Sequence, residues 1–540
     1  MTSHRSVPTI LLSTLMTLIA AGIFSSAETA VEPIAPAVAC PSPTHPRGGG
    51  CVLLKDETLA TTLRLPSSTQ LNCRGHKLSR PLTDTVSGLE DRSSPEVGIF
   101  LDHAENVLIQ NCVIEGFDFG IFAINNKVRP IIKANPRALA LVRNKILQNT
   151  INARFLAISL ASFDNTEIKD NTITYTTAGG KGIYVGRDSD INSIIGNKIT
   201  GDIAVAGSPA VGAPGTDNPT TNPPVTAGQA VLITQTLGPE PTLMNAIIEG
   251  ELFQLPVLKS ATANEKFSGD NRFEGNVIAF TQVPTEGVVI SIAQRTTVRG
   301  NQIRFATNSI RLGIQSGKNG LSKTFHGKCT EPVGRLCLAN SDCTGGACSD
   351  PVPSAIPVFW VTDGTVIEGN TVTGPFNTGI STNGTNTRIR GNTIVGPLRI
   401  AGAGPGPGQG AIILIAKFGL GPTTTVSRNF VTDVATALLF SNRPAQLLDM
   451  EAEKFEAHIS LNDFICYTTS IRSDIAANVS HSGPGNFWGF PCPKVSDRTS
   501  LLPKKVVTVG PILAQSVRDA HPYDTSIAKV FGSAMPEPCQ

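Results

Sequence analysis

Short apolar runs rich in Ile and Val recur along most of the chain, separated by Asn, Gly and Thr. The recurring phrase is Asn-x-Ile or Asn-x-Val, which begins at Asn111, Asn149, Asn171, Asn197, Asn276, Asn301, Asn370 and Asn392. Around it, apolar and polar residues alternate in short runs, as in residues 107–124. Alternation with a period of two indicates β-strands that bury one side.

The spacing of the phrase is typical of a repeat protein. Asn149, Asn171 and Asn197 are 22 and 26 residues apart. β-Branched residues and frequent glycines oppose an amphipathic helix of this length. We therefore expect each unit to form one coil of short strands, and we expect the coils to stack so that Ile, Val and Leu fill one continuous core.

The repeated Asn has a structural explanation. Corners between short strands often need a turn or left-handed conformation, which Asn tolerates. Its side-chain amide can also bond to the equivalent Asn of the next coil. We predict a ladder of stacked Asn side chains that serves the fold rather than a reaction.

Both ends of the repeat region resemble a known family. Residues 71–76, 106–117 and Gly120-Ile121 look like the opening coils of the right-handed parallel β-helix proteins, which are also called pectin-lyase-like or NosD-like repeat proteins. Asn486-Phe487-Trp488-Gly489 is similar to a phrase near the end of many of them. The resemblance implies an all-β, single-stranded right-handed parallel β-helix. It is specific for the fold and not for an activity, because this fold hosts lyases, hydrolases, epimerases and adhesins.

The N-terminus predicts export. His4 and Arg5 precede an apolar run over residues 9–24, and Ser25-Ser26-Ala27 offers small residues for cleavage. The pattern is that of a secretory signal peptide over residues 1–27, and the apolar run is short for a membrane span of about 20 residues. We expect a secreted, periplasmic or extracellular protein that has no membrane segment after the signal is removed.

The remaining chain divides by composition. We predict a linker over residues 28–50, the β-helix over 51–492 and a C-terminal cap or tail over 493–540. Within the β-helix we expect a flexible loop insert at 202–229, a Cys-rich loop insert at 316–357 and a Gly-Pro excursion at 397–410. Residues 56–65 are expected to form a short N-terminal capping helix over the open end of the core.

Composition and charge narrow the function. Aromatic residues make up 5 % of the chain, with 51 Gly and 38 Pro, which suits short strands and turns. The formal net charge is +2, and no basic cluster or tail is present. Nucleic acid is therefore not an expected partner.

The eleven cysteines indicate disulfides in an exported chain. Cys73 and Cys112 would lie in neighbouring coils of the fold that the resemblance implies, which favours a bridge between them. Cys40 with Cys51, and Cys466 with Cys492, are further pairings suggested by proximity. Cys329, Cys337, Cys343 and Cys348 form an even set, for which disulfides are preferred over zinc because no His joins them at ligand spacing. An odd total leaves one thiol over, and Cys539 is the expected one.

No known catalytic phrase is present, so the catalytic residues are unknown. Asp188 and Asp190 could share a strand face near Lys181 and Arg187, but the stretch after Gly186 is better explained as a turn.

The sequence motifs of polygalacturonase-like enzymes are matched only in part, by Asn377-Thr378-Gly379 and Arg388-Ile389-Arg390. Arg388 and Arg390 share one strand face and could contact an acidic glycan, but surface arginines beside a coil are the preferred explanation. Trp360 and Trp488 are isolated, and corner filling accounts for them better than sugar stacking.

No cofactor is expected. Copper favours Met and His ligands in clusters, and the chain has few Met and no close pair of His. A Ca²⁺ site is an option only for the case in which the protein is a polysaccharide lyase.

The sequence favours a secreted β-helix protein that binds an extracellular or cell-wall polysaccharide through its groove or loops. One alternative is a carbohydrate-active enzyme (a lyase, hydrolase or epimerase), which predicts that acidic and basic side chains of successive coils converge on one strand face. The other is a structural surface or adhesion module, which predicts no polar groove.

Overall fold

The computed structural model describes the repeat region between residues 40 and 501, with gaps. The described residues are 40–81, 96–124, 143–161, 163–176, 180–186, 189–201, 228–234, 269–280, 285–291, 293–305, 311–316, 327–328, 336–337, 347, 362–382, 384, 386–396, 410–415, 424–441, 457–473, 486–488 and 500–501. They form strands and turns, and no helix occurs among them. The predicted signal peptide and most of the predicted tail lie outside the described residues.

The strands follow one another in chain order. They are β1 His45–Arg47, β2 Gly50–Val52, β3 Glu57–Thr58, β4 Leu63–Arg64, β5 Gln70–Asn72, β6 Lys77–Ser79, β7 Val97–Asp102, β8 Leu108–Gln110, β9 Val113–Ile124, β10 Asn144–Leu147, β11 Thr150–Ala161, β12 Thr166–Lys169, β13 Thr172–Tyr175, β14 Lys181–Gly186, β15 Ser193–Ile195, β16 Lys198–Gly201, β17 Gly228–Thr234, β18 Arg272–Glu274, β19 Val277–Phe280, β20 Thr285–Ser291, β21 Thr297–Arg299, β22 Gln302–Phe305, β23 Arg311–Ser316, β24 Gly327–Lys328, β25 Leu336–Cys337, β26 Val366–Glu368, β27 Thr371–Thr373, β28 Thr378–Thr382, β29 Arg388–Arg390, β30 Thr393–Val395, β31 Gly410–Ile415, β32 Thr424–Ser427, β33 Phe430–Ser441, β34 Ala457–Ser460, β35 Asp463–Ser473, β36 Phe487–Trp488 and β37 Ser500–Leu501.

The chain passes through three faces in the same order in every coil. The first face is a 13-stranded sheet in the order β1-β2-β5-β8-β10-β12-β15-β18-β21-β26-β29-β32-β34. The second face follows the Asn corner and the third face follows the second. Strands β9, β11, β33 and β35 run through the corner between these two faces, which are therefore continuous in hydrogen bonding. Apart from the hairpins β1–β2 and β24–β25, the strand pairs are parallel.

This arrangement is a right-handed parallel β-helix, with the sense that nearly all parallel crossovers adopt. The core is a stack of columns, one from each face, and the aligned residues of neighbouring coils are almost all Ile, Val or Leu. The first-face column contains Ile109, Ile146, Ile168, Ile194, Phe273, Val298, Ile367, Ile389, Val426 and Ile459, and all are at most 3 % exposed. The predicted all-β fold is confirmed.

The N-terminal end differs from the expectation. Residues 56–65 form no helix, because Leu63 and Leu65 alternate into the core and β3 and β4 pair in parallel with β6 and β7. The hairpin β1–β2 and the disulfide Cys40–Cys51 lie at this end instead. Strand β1 is exposed and contains a Pro, which discourages pairing with another chain. It lies within the segment predicted as a linker, while β37 lies beyond residue 492 and pairs with β35.

The Asn ladder is present and runs through ten coils. Its members are Asn149, Asn171, Asn197, Asn276, Asn301, Asn370, Asn392, Asn429, Asn462 and Asn486, each at most 1 % exposed. In every step the backbone N–H and the Nδ2 of one Asn donate to the Oδ1 of the next, at 2.8–3.0 Å. The same Nδ2 donates to a backbone carbonyl of the preceding coil. The buried side-chain amides of the ladder are thereby satisfied.

Two details of the predicted ladder are wrong. The left-handed residue is the one before each ladder Asn, such as Asp170 at φ 55° and Arg428 at φ 58°. In the phrase Asn111-Cys112-Val113, Asn111 is this left-handed residue at φ 53°, and Cys112 holds the ladder position, because its N–H donates to Asn149 Oδ1 at 3.0 Å. The ladder is therefore one coil shorter at this end than the phrase suggests.

A second buried polar column lies at the other end of the first face. It comprises Asn144, Thr166, Asn192, Asn271, Thr296, Thr365, Thr387 and Thr424. Asn192 donates to Asn271 Oδ1 from both its N–H and Nδ2, at 3.0 and 3.1 Å. Each member precedes a ladder Asn by five positions, as Asn144 precedes Asn149. That constant offset of five residues marks the two ends of each first-face strand in the sequence.

Small residues line the corner between the second and third faces. A Cβ placed on Gly313 would lie 2.4 Å from the carbonyl oxygen of Gly379 and 2.8 Å from Cγ1 of Val372. Gly98, Gly120 and Gly287 occupy the aligned positions and are similarly crowded. The absence of a side chain therefore lets the two faces approach closely.

The ladder predicts the effect of a single substitution. Asn301→Ala removes the acceptor of the Asn276 N–H and Nδ2 and the donor to Asn370 Oδ1, all of which are buried. Because each buried polar group left unsatisfied costs about 1–3 kcal/mol, the free energy of unfolding should fall by about 4 kcal/mol. Urea unfolding followed by circular dichroism measures it.

The neighbouring Gln302→Ala is the matched control, because Gln302 points away from the core. It should change the free energy of unfolding by less than about 0.5 kcal/mol. Equal midpoints for the two variants would show that the ladder does not stabilise the coils.

Candidate functional site

The outward side of the first face carries a concentration of arginines. On β18, β21 and β29, the side chains of Arg272, Arg299, Arg388 and Arg390 point away from the core and are exposed. Their strands are held in register by the Asn ladder at one end of the face and by backbone hydrogen bonds at the other, such as that from the Val366 N–H to the Thr296 carbonyl at 2.9 Å. We call the outward residues between 270 and 428, including the corner residues Asp270, Arg295, Asp363 and Arg428, the basic face.

Ion pairs fix part of the basic face. Arg295 binds Asp270 with two hydrogen bonds, at 2.8 and 2.7 Å. Glu368 accepts from Arg299 at 2.7 Å and from Arg390 Nε at 3.0 Å, so one carboxylate bridges two coils. The arginine side chains in these pairs are 53–58 % exposed, and screening by water keeps the stabilisation small.

The basic face has more cations than anions. Its arginines are Arg272, Arg295, Arg299, Arg388, Arg390 and Arg428, and its acids are Asp270, Glu274, Asp363 and Glu368. The excess is two positive charges. The side chains of Arg388 and Arg428 have no hydrogen bond or ion pair with any residue that the structure describes. They are therefore available to an anionic ligand.

Electrostatics in the basic face follow from these pairs. The hydrogen bond from Arg390, with that from Arg299, holds the pKa of Glu368 below its ordinary value. The hydrogen bond to Asp270 raises the pKa of Arg295. Glu368 therefore stays ionised at mildly acidic pH and keeps both arginines in place.

The other residues singled out from the sequence have structural roles or lie outside the described part. The N–H of Asp190 donates to Asp164 Oδ1 at 2.8 Å and its Oδ1 accepts from the Gly269 N–H at 2.7 Å, as expected for a stacked turn. Lys181 is 4 % exposed at the start of β14. Asp188 and Arg187 lie outside the described residues.

Packing explains the residues of the partial polygalacturonase-like motif Asn377-Thr378-Gly379. A Cβ on Gly379 would lie 2.7 Å from the Ala411 carbonyl oxygen, and Thr378 is buried. The side chain of Trp488 and all of Trp360 lie outside the described residues.

Two disulfides are present, Cys73–Cys112 and Cys40–Cys51. Disulfides are typical of proteins in oxidising compartments. The backbone of Cys337 belongs to the small hairpin β24–β25. Cys329, Cys343, Cys348, Cys492, Cys539 and the side chain of Cys466 lie outside the described residues, so their pairing stays a prediction.

A buried ionic network, not predicted from the sequence, lies at the corner that leads into the third face. Arg154 Nε is 3.1 Å from Asp118 Oδ1, and the Glu96 N–H donates to Asp118 Oδ2 at 2.9 Å. Arg80 pairs with Glu96 at 2.9 Å. These residues come from three neighbouring coils without a common motif, so spacing along the chain does not reveal them. Because its charges are matched, the network has the properties of a structural element.

One half-buried carboxyl stands apart from these pairs. Asp433 lies at the corner between the second and third faces with φ 57°. Burial raises its pKa, and a hydrogen bond from Thr432 Oγ1 at 3.3 Å opposes the shift. A carboxyl group with a raised pKa is a candidate general acid.

The predicted inserts adjoin the third face. Residues 202–227 connect β16 to β17, and residues 397–409 connect β30 to β31. The Cys-rich insert follows β23. On the third face itself, the outward residues Phe100, Phe122 and Tyr184 are at most 8 % exposed.

No group of three His, Cys, Asp or Glu side chains converges within the part of the chain that the structure describes. His76 and His103 each lie beside a single Asp, Asp56 and Asp102. No helix long and apolar enough to cross a membrane occurs among the described residues.

A family model described as periplasmic copper-binding protein (NosD) matches residues 81–211, about a quarter of the chain. Among the curated proteins, none matches this sequence. Residues 81–211 contain one His, His103, and one Cys, Cys112, which is in a disulfide, and they contain no Met, so the donors that copper prefers are not gathered in the matched region.

Solved structures with a similar shape include two kinds of protein. One is a variant of the catalytic domain of GH87 alpha-1,3-glucanase in complex with tetrasaccharides, with 12 % identity, a TM-score of 0.47 and coverage of 82 % of this chain and 65 % of that chain. This chain thus spans less than two thirds of that domain. Another is the tailspike protein of E. coli bacteriophage HK620 in complex with pentasaccharide, with 10 % identity, a TM-score of 0.39 and coverage of 82 % and 72 %. At these TM-scores the likenesses add nothing to the fold that the strand pairing shows directly.

The pKa of Glu368 can be tested by titration. We expect nuclear magnetic resonance of the carboxyl carbon to give a pKa below the ordinary value, and Arg390→Gln to raise it, because the largest stabilising hydrogen bond is lost. A lowered pKa means that the pairs stabilise the fold above the ordinary carboxyl pKa and that this contribution disappears as the pH falls through the lowered value. Arg304→Gln, on the second face, should leave the titration unchanged. An ordinary pKa in the wild-type protein would contradict the bridging geometry.

Proposed function

We propose that the protein is exported and binds an acidic polysaccharide along the basic face. The observation that carries the proposal is the excess of arginines there, with Arg388 and Arg428 unpaired among the described residues. Guanidinium groups bind carboxylates through two parallel hydrogen bonds, which suits uronate or sulfated sugars.

The shape of the basic face supports a long ligand. Strands β18, β21, β26, β29 and β32 are neighbours in the sheet, so the face extends roughly 19 Å along the helix axis at about 4.8 Å per strand. Four of these five coils present an arginine outward. A polymer lying along the axis would meet several cations at once, and such repeated weak contacts add up to useful affinity.

The rigidity of the basic face also favours binding. Glu368 holds Arg299 and Arg390 in fixed positions, so less side-chain entropy is lost when a ligand arrives. The strands beneath are fixed by the Asn ladder. A preorganised surface of this kind needs no loop to close over the ligand.

Export is part of the same proposal. The predicted signal peptide at 1–27 and the two disulfides support a periplasmic or extracellular location, where acidic polysaccharides occur. The partner would then be a cell-wall or extracellular polymer.

A carbohydrate-active enzyme is the alternative, and Asp433 is the observation in its favour. Its carboxyl has a raised pKa and adjoins the corner from which the 397–409 insert departs one coil earlier. Incubating the protein with the bound polysaccharide and assaying new reducing or unsaturated ends separates binding from cleavage.

Binding should depend on the unpaired arginines. For Arg388→Gln combined with Arg428→Gln, we expect affinity for a polyuronate to fall about tenfold, since each exposed charge contact contributes up to about 1 kcal/mol. Isothermal titration calorimetry measures it, and the wild-type affinity should weaken as salt is added.

Arg304→Gln is the matched control, because Arg304 is equally exposed but lies on the second face. It should bind like the wild type. A double variant with unchanged affinity, or a control that loses as much, would refute the basic face as the binding surface.

A further inference from the structure

A surface cavity lies at the N-terminal corner between the first and second faces, apart from the basic face. Its volume is about 470 Å³, within the roughly 300–1,000 Å³ of small-molecule sites. It is lined by Asn72, Arg74, Gly75, Asn111, Cys112, Val113, Gln148 and Thr150. Most of these residues are polar, and the single ionisable side chain in the lining belongs to Arg74.

The backbone around the cavity is rigid. The disulfide Cys73–Cys112 joins two of the coils behind it. Arg74, Asn111 and Gln148 lie in three successive coils and all adopt the left-handed conformation, at φ 55°, 53° and 55°. The Gly75 N–H donates to the Asn111 carbonyl at 2.7 Å. The backbone at this corner therefore fixes the positions of the Cα–Cβ bonds from which these side chains extend.

Asn72 organises the wall of the cavity. Its Oδ1 accepts from the Arg74 N–H at 2.9 Å and from Asn111 Nδ2 at 3.4 Å. The second of these bonds uses one N–H of Asn111 Nδ2 and leaves the other N–H as a donor and Oδ1 as an acceptor. The Arg74 backbone is thereby tied to the same wall.

Several polar groups in the lining are unused by the protein. The guanidinium of Arg74, the side-chain amide of Gln148 and the hydroxyl of Thr150 make no hydrogen bond or ion pair with any described residue. They belong to different coils yet line one cavity. A ligand would supply the partners that these donors and acceptors lack.

The chemistry of the lining specifies the ligand class. A guanidinium with no acid in the lining favours an oxyanion such as a carboxylate or sulfate. Nearby Lys77 is neutralised by Glu115 at 2.6 Å, so Arg74 supplies the positive charge at the cavity. The amides and the hydroxyl can both donate and accept, as neutral sugar hydroxyls require.

We infer that this cavity binds one anionic sugar unit, whose carboxylate or sulfate pairs with Arg74 and whose hydroxyls bond to Asn111, Gln148 and Thr150. The site is separate from the basic face and takes a monosaccharide, for which a polymer's repeated contacts are not needed. Its binding therefore stands or falls independently of the proposed function.

The test uses three soluble probes: a uronic acid monosaccharide, a sulfated monosaccharide and the neutral parent sugar. Saturation-transfer nuclear magnetic resonance and calorimetry on the full chain measure binding. We expect at least one anionic sugar to bind, and the neutral sugar to bind at least tenfold more weakly. Whether the uronate or the sulfate binds more tightly identifies the source of the anion.

Arg74→Gln should weaken binding of the anionic sugar at least tenfold. It should leave the fold intact, because Gln148, two coils further along, already adopts the same left-handed conformation. Thr150→Val should weaken binding of the anionic and the neutral sugar alike. Arg47→Gln on β1 is the matched control and should bind normally. The Arg388→Gln, Arg428→Gln double variant should also bind the monosaccharide normally, whatever it does to the polymer.

Failure of both anionic sugars to bind at millimolar concentration would overturn the inference. So would equal binding of the neutral sugar, or an Arg74→Gln variant that binds like the wild type.

Discussion

Stacked amide hydrogen bonds of the Asn ladder are the interaction on which the rest of this structure depends. Each coil is too small to bury its apolar residues alone, so it is stable only against its neighbours. The ladder satisfies the buried polar groups at the tightest corner, and it fixes the register of the first and second faces together. A slip of one residue would turn the core column outward. Where Cys112 holds the ladder position, the disulfide to Cys73 joins the coils instead.

Fixed register has a consequence for function, because outward side chains of successive coils become rows. On the first face those rows bring together arginines that are far apart in sequence, such as Arg299 and Arg390, on the single carboxylate of Glu368. At the N-terminal corner the same stacking brings Arg74, Asn111 and Gln148 around one cavity. Both proposed binding surfaces thus consist of residues of the repeat itself and not of a loop. The ionic network of Asp118 and Arg154 shows that the same stacking also creates buried charge pairs.

The fold could be predicted from the sequence because its cause is local and repeated: the period-two alternation and the Asn-x-Ile phrase report directly on strands and corners. The pairing of Cys73 with Cys112 could be predicted once the two residues were assigned to neighbouring coils. The capping helix was wrong because Leu63 and Leu65 obey the strand period, which a short segment does not distinguish clearly from a helix. The basic face was only half visible, through Arg388 and Arg390. Glu368, which pairs with Arg390, and Arg299, which shares that carboxylate, lie 22 and 91 residues earlier in the chain than Arg390, and the intervening insert hides the register. No pattern in the sequence pointed to Arg74, because the residues that line its cavity come together only when the corners of three coils stack.

Hydrogen–deuterium exchange with and without saturating polyuronate tests whether the polymer binds along the basic face. Binding there should add protection in β18, β21, β29 and the corner at Arg428. It should leave β22, β27 and β30 on the second face unchanged. Exchange in the strands themselves is slow, so the corner amides beside them are the sensitive reporters. Protection on the second face or around the third-face strands, with none at the basic face, would contradict the account.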